Sequence, residues 1–162
     1  THEEYMELAL EEARKAEEID EVPVGCVIVC DGEVISRGHN LKEQLNQAYA
    51  HAEMMAIQKA AEVKGNWCLN DCDLYVTLEP CMMCTGIINL SRIRTVYYGT
   101  TDPKGGCLET IIDLKKINRL NHYPNIVGNI LQKECSEILT NYFRKKREII
   151  KEKKQKNKAN IQ

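Results

Sequence analysis

Leu74-Tyr-Val-Thr-Leu78, then Glu79-Pro80, then Cys81-Met-Met-Cys84-Thr-Gly-Ile-Ile-Asn89 and, after a short break, Thr95-Val-Tyr-Tyr98-Gly99 read as strand, helix and strand. LYVTL is apolar and β-branched, the pattern of a buried strand. Pro80 opens a helix over about 81–89, because its fixed φ and missing N–H suit a first turn. TVYY is a second strand, ended by Gly99. A helical crossover between two strands makes them parallel and buries both faces of the sheet.

Working outward, Val24–Cys30 and Glu33–Arg37 are strands joined by Asp31-Gly32, a hairpin signal that makes this pair antiparallel. Before them, residues 3–18 set Met6, Ala9, Leu10, Ala13 and Ala16 on one face of an amphipathic helix. Residues 38–50 read as loop, and a helix over about 51–63 stops near Gly65. The stretch 100–128 is broken by Pro and Gly, with a short helix near 109–116 and a short strand near 125–127. From Ile130 through Leu131, Cys135, Ile138, Leu139, Tyr142 and Phe143, apolar residues recur at helical spacing, marking a long last helix. These elements predict an α/β fold: a three-layer α/β/α sandwich around a central mixed five-stranded sheet.

The 162 residues fit one domain, 1–147, followed by a basic helix end or tail, 148–162. With 43% apolar and 28% charged residues, and no apolar run of membrane-spanning length, the chain reads as a globular protein. Its start, THEEYMELAL, has no secretory-leader pattern, so a cytoplasmic location is expected. Charge is unevenly spread: residues 1–21 hold nine acids and two bases, and residues 144–158 hold nine bases and two acids. Such a basic segment either attracts a polyanion such as RNA or is a solvated helix end.

Eight cysteines without a leader argue against a disulfide framework. Cys26, Cys30 and Cys135 alternate or align with apolar neighbours and read as small core residues. His51-Ala52-Glu53 and Pro80-Cys81-x-x-Cys84 each stand at a helix start. One imidazole and two thiolates make a three-ligand zinc site with an open fourth position, the arrangement of a catalytic centre. On a regular helix, residues two apart point about 200° apart. His51 must therefore sit just outside the helix for Glu53 also to face the ion, where a carboxylate can shuttle protons. The alternative is a structural four-thiolate site made by Cys68, Cys72, Cys81 and Cys84, which leaves His51 and Glu53 without a role. Cys107 reads as an exposed loop thiol.

HAE at 51–53, TLEPCMMC at 77–84 and VPVGCVIV at 22–29 resemble the zinc-dependent cytidine/deoxycytidylate deaminase superfamily, for which H-x-E and P-C-x-x-C are the signature. EVPVG at 21–25, GHN at 38–40, SRI at 91–93, YGTTDPKGG at 98–106 and YFRKKR at 142–147 are similar to its bacterial tRNA-specific adenosine deaminases. The resemblance implies a cytidine deaminase-like fold and a homodimeric hydrolase. Its reaction would convert adenosine to inosine at the wobble position of a tRNA anticodon by a zinc-activated water. It implies one Zn2+ per subunit on His51, Cys81 and Cys84, with Glu53 as proton shuttle. Asn40 would bind the flipped nucleoside and Val22, Pro23 and Val24 would line the base pocket. Asp102, Lys104, His122, Phe143 and Arg144 would contact neighbouring anticodon nucleotides. Gly106-Cys107-Leu108-Glu109-Thr110 departs from the small-residue segment usual there and adds a carboxylate beside the expected RNA path. Two rivals share these residues: a free-base or nucleoside deaminase, and a non-catalytic zinc-stabilised RNA-binding module.

Overall fold

The computed structural model describes residues 1–161. Residue 162, the end of the expected tail, lies outside them. In chain order the elements are α1 (His2–Glu18), β1 (Gly25–Cys30), β2 (Glu33–His39), a one-turn helix α2 (Lys42–Leu45), α3 (Ala52–Lys64) and β3 (Cys72–Leu78). There follow α4 (Met82–Leu90), β4 (Thr95–Thr100), a 3-10 turn at Leu114–Lys116, β5 (Asn125–Val127) and α5 (Gln132–Ile161). The sheet order is β2-β1-β3-β4-β5. β1 runs antiparallel to both β2 and β3, whereas β3, β4 and β5 are parallel, so the sheet is mixed as expected.

Every residue of β1 is buried because helices cover both sides of it. Cys26, Ile28 and Cys30 pack with Ala56, Ile57 and Ala60 of α3 and Ile88 of α4. The alternate residues Val27 and Val29 pack with Met6, Ala9 and Leu10 of α1 and Cys135 of α5. Two cores on opposite faces of one sheet make the three layers, and each fully buried Leu or Ile side chain stabilises them by roughly 1.5–3 kcal/mol. Gly25 allows α1 to lie this close, since a Cβ there would come within 1.9 Å of the Ala9 carbonyl oxygen.

Three local expectations are corrected. Residues 38–50 are not all loop: β2 continues through His39 and α2 forms over Lys42–Leu45. The Glu21 carboxylate accepts the Glu43 and Gln44 amides at 3.0 and 2.9 Å, and Asn40 Oδ1 accepts the Lys42 amide at 3.0 Å. β4 passes through Gly99 to Thr100; the glycine is needed because a Cβ would lie 2.3 Å from Cys135 Sγ on α5. Of the helix expected near 109–116, only the 3-10 turn is formed.

The topology gathers chain ends. β1 is antiparallel to β2 and β3, so Val24 before β1, Asn40 after β2 and Leu78 at the end of β3 lie at one end of the sheet. The carboxyl end of β4 lies beside them, with Leu78 opposite Thr100. Ligands of open α/β sheets bind at such carboxyl ends, where strand order switches.

Candidate active site

α3 and α4 both begin at this end. His51 and Cys81 are their N-cap residues, each with extended backbone (φ −81°, ψ 157° and φ −75°, ψ 178°). His51 thus stands outside the helix, and Glu53, only 4% exposed, is turned into the same cavity. His51 Nδ1 lies 3.6 Å from Cys81 Sγ and 3.7 Å from Cys84 Sγ, and the three donor atoms are mutually within 4.8 Å. An edge joining nitrogen and sulfur in a tetrahedral zinc site spans about 3.6 Å, given usual bond lengths near 2.05 and 2.3 Å. The donor set and its spacing therefore fit zinc.

The electrostatics suit a cation. A hydrogen bond from the Cys84 thiol, then one with His51, lower the Cys81 thiol to about 4. Cys84 itself is pushed far up, first by that bond with Cys81 and then by burial. His51 is raised chiefly by its hydrogen bond with Cys81. Burial raises the Glu53 carboxyl to about 7.

The cavity has a volume of about 210 Å3, and Val22, Val24, Asn40, Leu78 and Asp102 line it beside the donors. Asn40 is buried, and its Oδ1 is committed to α2, so its amide nitrogen is the group left for a ligand. Pro23 does not line the cavity, contrary to expectation; it is buried between the two valines that do. Val22, Leu78 and Asp102 are shared with a larger cavity of about 650 Å3, whose wall includes Lys104, Phe143 and Arg147. Phe143 is 43% exposed and meets Tyr142 edge-on, so Tyr142, not Phe143, is the core residue of that turn. Arg144 is exposed on α5 and lines neither cavity; Arg147, one turn on, takes that place. His122 is not brought to the site: its Nε2 bonds the Ile93 carbonyl at 2.7 Å, and its own carbonyl accepts from Asn89 of α4.

A residue the motif search passed over shapes the rim. Glu79, 2% exposed, accepts hydrogen bonds from the amides of Asp102, Leu108, Glu109 and Thr110 and from the Thr110 hydroxyl. Burial raises its pKa, but these donors outweigh burial and hold the carboxyl below its ordinary value. The signal was present in the sequence as an acid directly before Pro80-Cys81. The added carboxylate of Glu109 is turned away to Tyr98, whose hydroxyl donates to it at 2.6 Å. Cys107 is buried, not exposed, and its amide donates to the Pro80 carbonyl. The four-thiolate alternative is excluded, because Cys81 and Cys84 meet His51 whereas Cys72 lies with Cys30 and Asp71.

Three metal donors, an open side and a buried carboxylate define a centre for metal-assisted hydrolysis. Residues 1–100 match the family model described as the cytidine and deoxycytidylate deaminase zinc-binding region, and the chain belongs to that deaminase family. Within it the chain is 48% identical over 143 residues to the tRNA-specific adenosine deaminase of Bacillus subtilis, covering 88% of this chain and 89% of that one. It is equally 48% identical to the tRNA-specific adenosine deaminase of Agrobacterium fabrum, covering 88% and 94%. A solved structure from studies of A-to-I editing by tRNA deaminases at the wobble position is 47% identical, with a TM-score of 0.81 over 84% of this chain and 99% of that one. A Bacillus subtilis guanine deaminase structure is 39% identical, with a TM-score of 0.60 over 62% and 65%.

Proposed function

We propose that this chain is a tRNA-specific adenosine deaminase, converting adenosine to inosine by hydrolysis at the wobble position of an anticodon. The observation that carries the reading is that the small donor-lined cavity shares the wall of Val22, Leu78 and Asp102 with the larger one bounded by Lys104, Phe143 and Arg147. A free base needs only the first; a nucleotide with attached neighbours needs both. The extended likeness to tRNA-specific adenosine deaminases over most of the chain supports the same substrate class.

His51, Cys81 and Cys84 would hold a zinc ion, which would supply the Lewis acidity that makes water a nucleophile at neutral pH. Glu53 takes one proton from the attacking water and gives it to the purine ring nitrogen beside C6. Glu53 then carries the proton of the new C6 hydroxyl to the amino group, so that the C–N bond breaks, the C6 carbonyl forms and ammonia leaves. Its burial keeps bulk water from competing for the proton. Val22 and Val24 hold the base between apolar walls, and the Asn40 amide nitrogen fixes its orientation by a hydrogen bond. Asp102 and Lys104 meet the neighbouring nucleotides, Phe143 offers a face for stacking, and Arg147 meets a phosphate. An anticodon loop suits this pocket because its bases unstack at low cost. Since the His122 ring is committed to Ile93, it is left out of these contacts.

The enzyme works as a homodimer joined across α4. Met82 and Leu90 are 68% and 65% exposed there, beside a groove of about 340 Å3 with Ile112, Ile117 and Leu120. Light scattering is expected to give a dimer mass for the native chain and a monomer mass for Met82→Glu. A native monomer would refute the pairing.

The substrate is tested by incubating zinc-loaded enzyme with an anticodon stem-loop bearing a wobble adenosine and reading A-to-G by reverse transcription. Conversion at that position alone is expected. Ammonia released from free guanine or cytosine, with no change in the RNA, would instead favour the free-base reading that the guanine deaminase likeness keeps open.

A further inference from the structure

Cys30 and Cys72 face each other as register partners across β1 and β3, at the end of the sheet away from His51. Asp71 precedes Cys72, and Lys64 reaches in from the last turn of α3. The Cys72 thiol donates to Asp71 Oδ1 at 3.5 Å. Lys64 Nζ donates to Asp71 Oδ2 at 2.6 Å and to Cys30 Sγ at 3.5 Å. The two sulfurs and a carboxylate oxygen lie mutually within 4.8 Å, the same closeness as the donors around His51. A sulfur–oxygen edge of a tetrahedral site spans about 3.6 Å, close to the separation found here.

We propose that Cys30, Cys72 and Asp71 form a second metal site for a soft divalent ion such as Zn2+ or Cd2+, whose place the Lys64 ammonium holds until the ion enters. Two thiolates and one carboxylate select such an ion over Mg2+ or Ca2+, which prefer all-oxygen sites. The charge balance closes. With neutral thiols, the Asp71 carboxylate and the Lys64 ammonium cancel. On uptake both thiols release a proton and the ion's two charges replace those protons, so the ion with its three ligands carries one negative charge, which the displaced but still charged Lys64 balances from nearby. Cys30 and Cys72 are 6% and 0% exposed, whereas the side chains of Asp71 and Lys64 are 42% and 27% exposed, so the cluster opens on that side. Lys64 has a flexible stem and an exposed path along which to withdraw.

The test counts total bound metal on the full chain, first loaded with zinc and then titrated with Cd2+ and dialysed. The native chain is expected to hold a second equivalent, with cadmium–thiolate ultraviolet absorption, that Cys30→Ser/Cys72→Ser lacks. Lys64→Met, which removes the competing ammonium and leaves the core untouched, is expected to tighten Cd2+ binding at that equivalent at least several-fold; Asp71→Asn weakens it. A native chain that stops at the first equivalent overturns the assignment. So does a second equivalent that survives loss of both cysteines, or equal affinity in the native chain and Lys64→Met. The surface substitutions keep the test decisive if the double serine variant does not fold. None of these readouts depends on the RNA substrate, so failure here leaves the deaminase reading standing.

Discussion

Glu53 is a charged side chain placed almost out of reach of water, 4% exposed. Its pKa rises chiefly through burial, and His51 beside it opposes that rise. Such a residue destabilises the fold slightly and is useful only as a proton carrier. Glu53→Gln preserves shape and should therefore keep the zinc content and melting temperature of the native chain while lowering turnover by at least about 10³-fold. Metal analysis, thermal denaturation and the stem-loop assay check this together; substantial remaining activity would remove Glu53 from the mechanism. At this scale the sequence was informative. His51-x-Glu53 works only with His51 outside the helix, and the extended N-cap geometry bears out that reading of the spacing. Pro23, His122 and Arg144 were less legible, because a local string does not tell which of several adjacent residues points inward.

The segments that frame the cavity are held by carboxylates from elsewhere in the chain. Glu21 caps α2, and Glu79 gathers the amides of residues 102–110 into one turn. Gly106 belongs to this arrangement, since a Cβ there would lie 2.4 Å from the Glu79 carboxyl carbon. These bonds span 22 to 31 positions, which is why periodicity missed α2 and the turn of residues 102–110, whereas the short strand near 125–127 was read where β5 forms. The β-α-β unit and the hairpin, set by local apolar patterns and turn residues, were readable. Removing the acceptor leaves several buried donors unmatched at once. Glu79→Ala should cost at least about 3 kcal/mol of stability, given the usual strength of hydrogen bonds to charged groups. Glu79→Gln keeps one acceptor oxygen and should fold, but with a looser rim around Asp102 and Lys104. Its KM for the stem-loop is expected to rise several-fold while kcat changes little. An equal fall in kcat with unchanged KM would mean that the turn serves the chemistry and not the RNA.

Across the molecule, opposite charges are neighbours at one place and separate at another. The acidic α1 meets the start of the basic stretch, with Lys145 at 4.0 Å from Glu17 and Lys146 at 2.5 Å from Asp20. Tyr142 adds hydrogen bonds to Asp20, so the helix is pinned where Phe143 and Arg147 face the larger cavity. Beyond that point α5 runs on to Ile161 with every residue exposed. At 1.5 Å per residue the whole helix is about 45 Å long, so its end projects well clear of the sheet. Among the described residues nothing packs against this end, so its lysines stand in solvent, where phosphates of a bound stem would meet them. Such contacts act through counterion release, and each one lost lowers the salt slope of RNA binding by about 0.7 to 0.9. Truncation after Arg147 removes Lys151, Lys153, Lys154, Lys156 and Lys158 but leaves the pinned turn intact. The shortened chain should keep kcat, bind the stem-loop several-fold more weakly at low salt, and approach the full chain as salt rises and the Debye length shrinks. Parallel salt titrations of the two chains decide it. Matching slopes would make the projecting helix a solvated end with no part in RNA binding, and would confine recognition to the cavities around Asp102, Phe143 and Arg147.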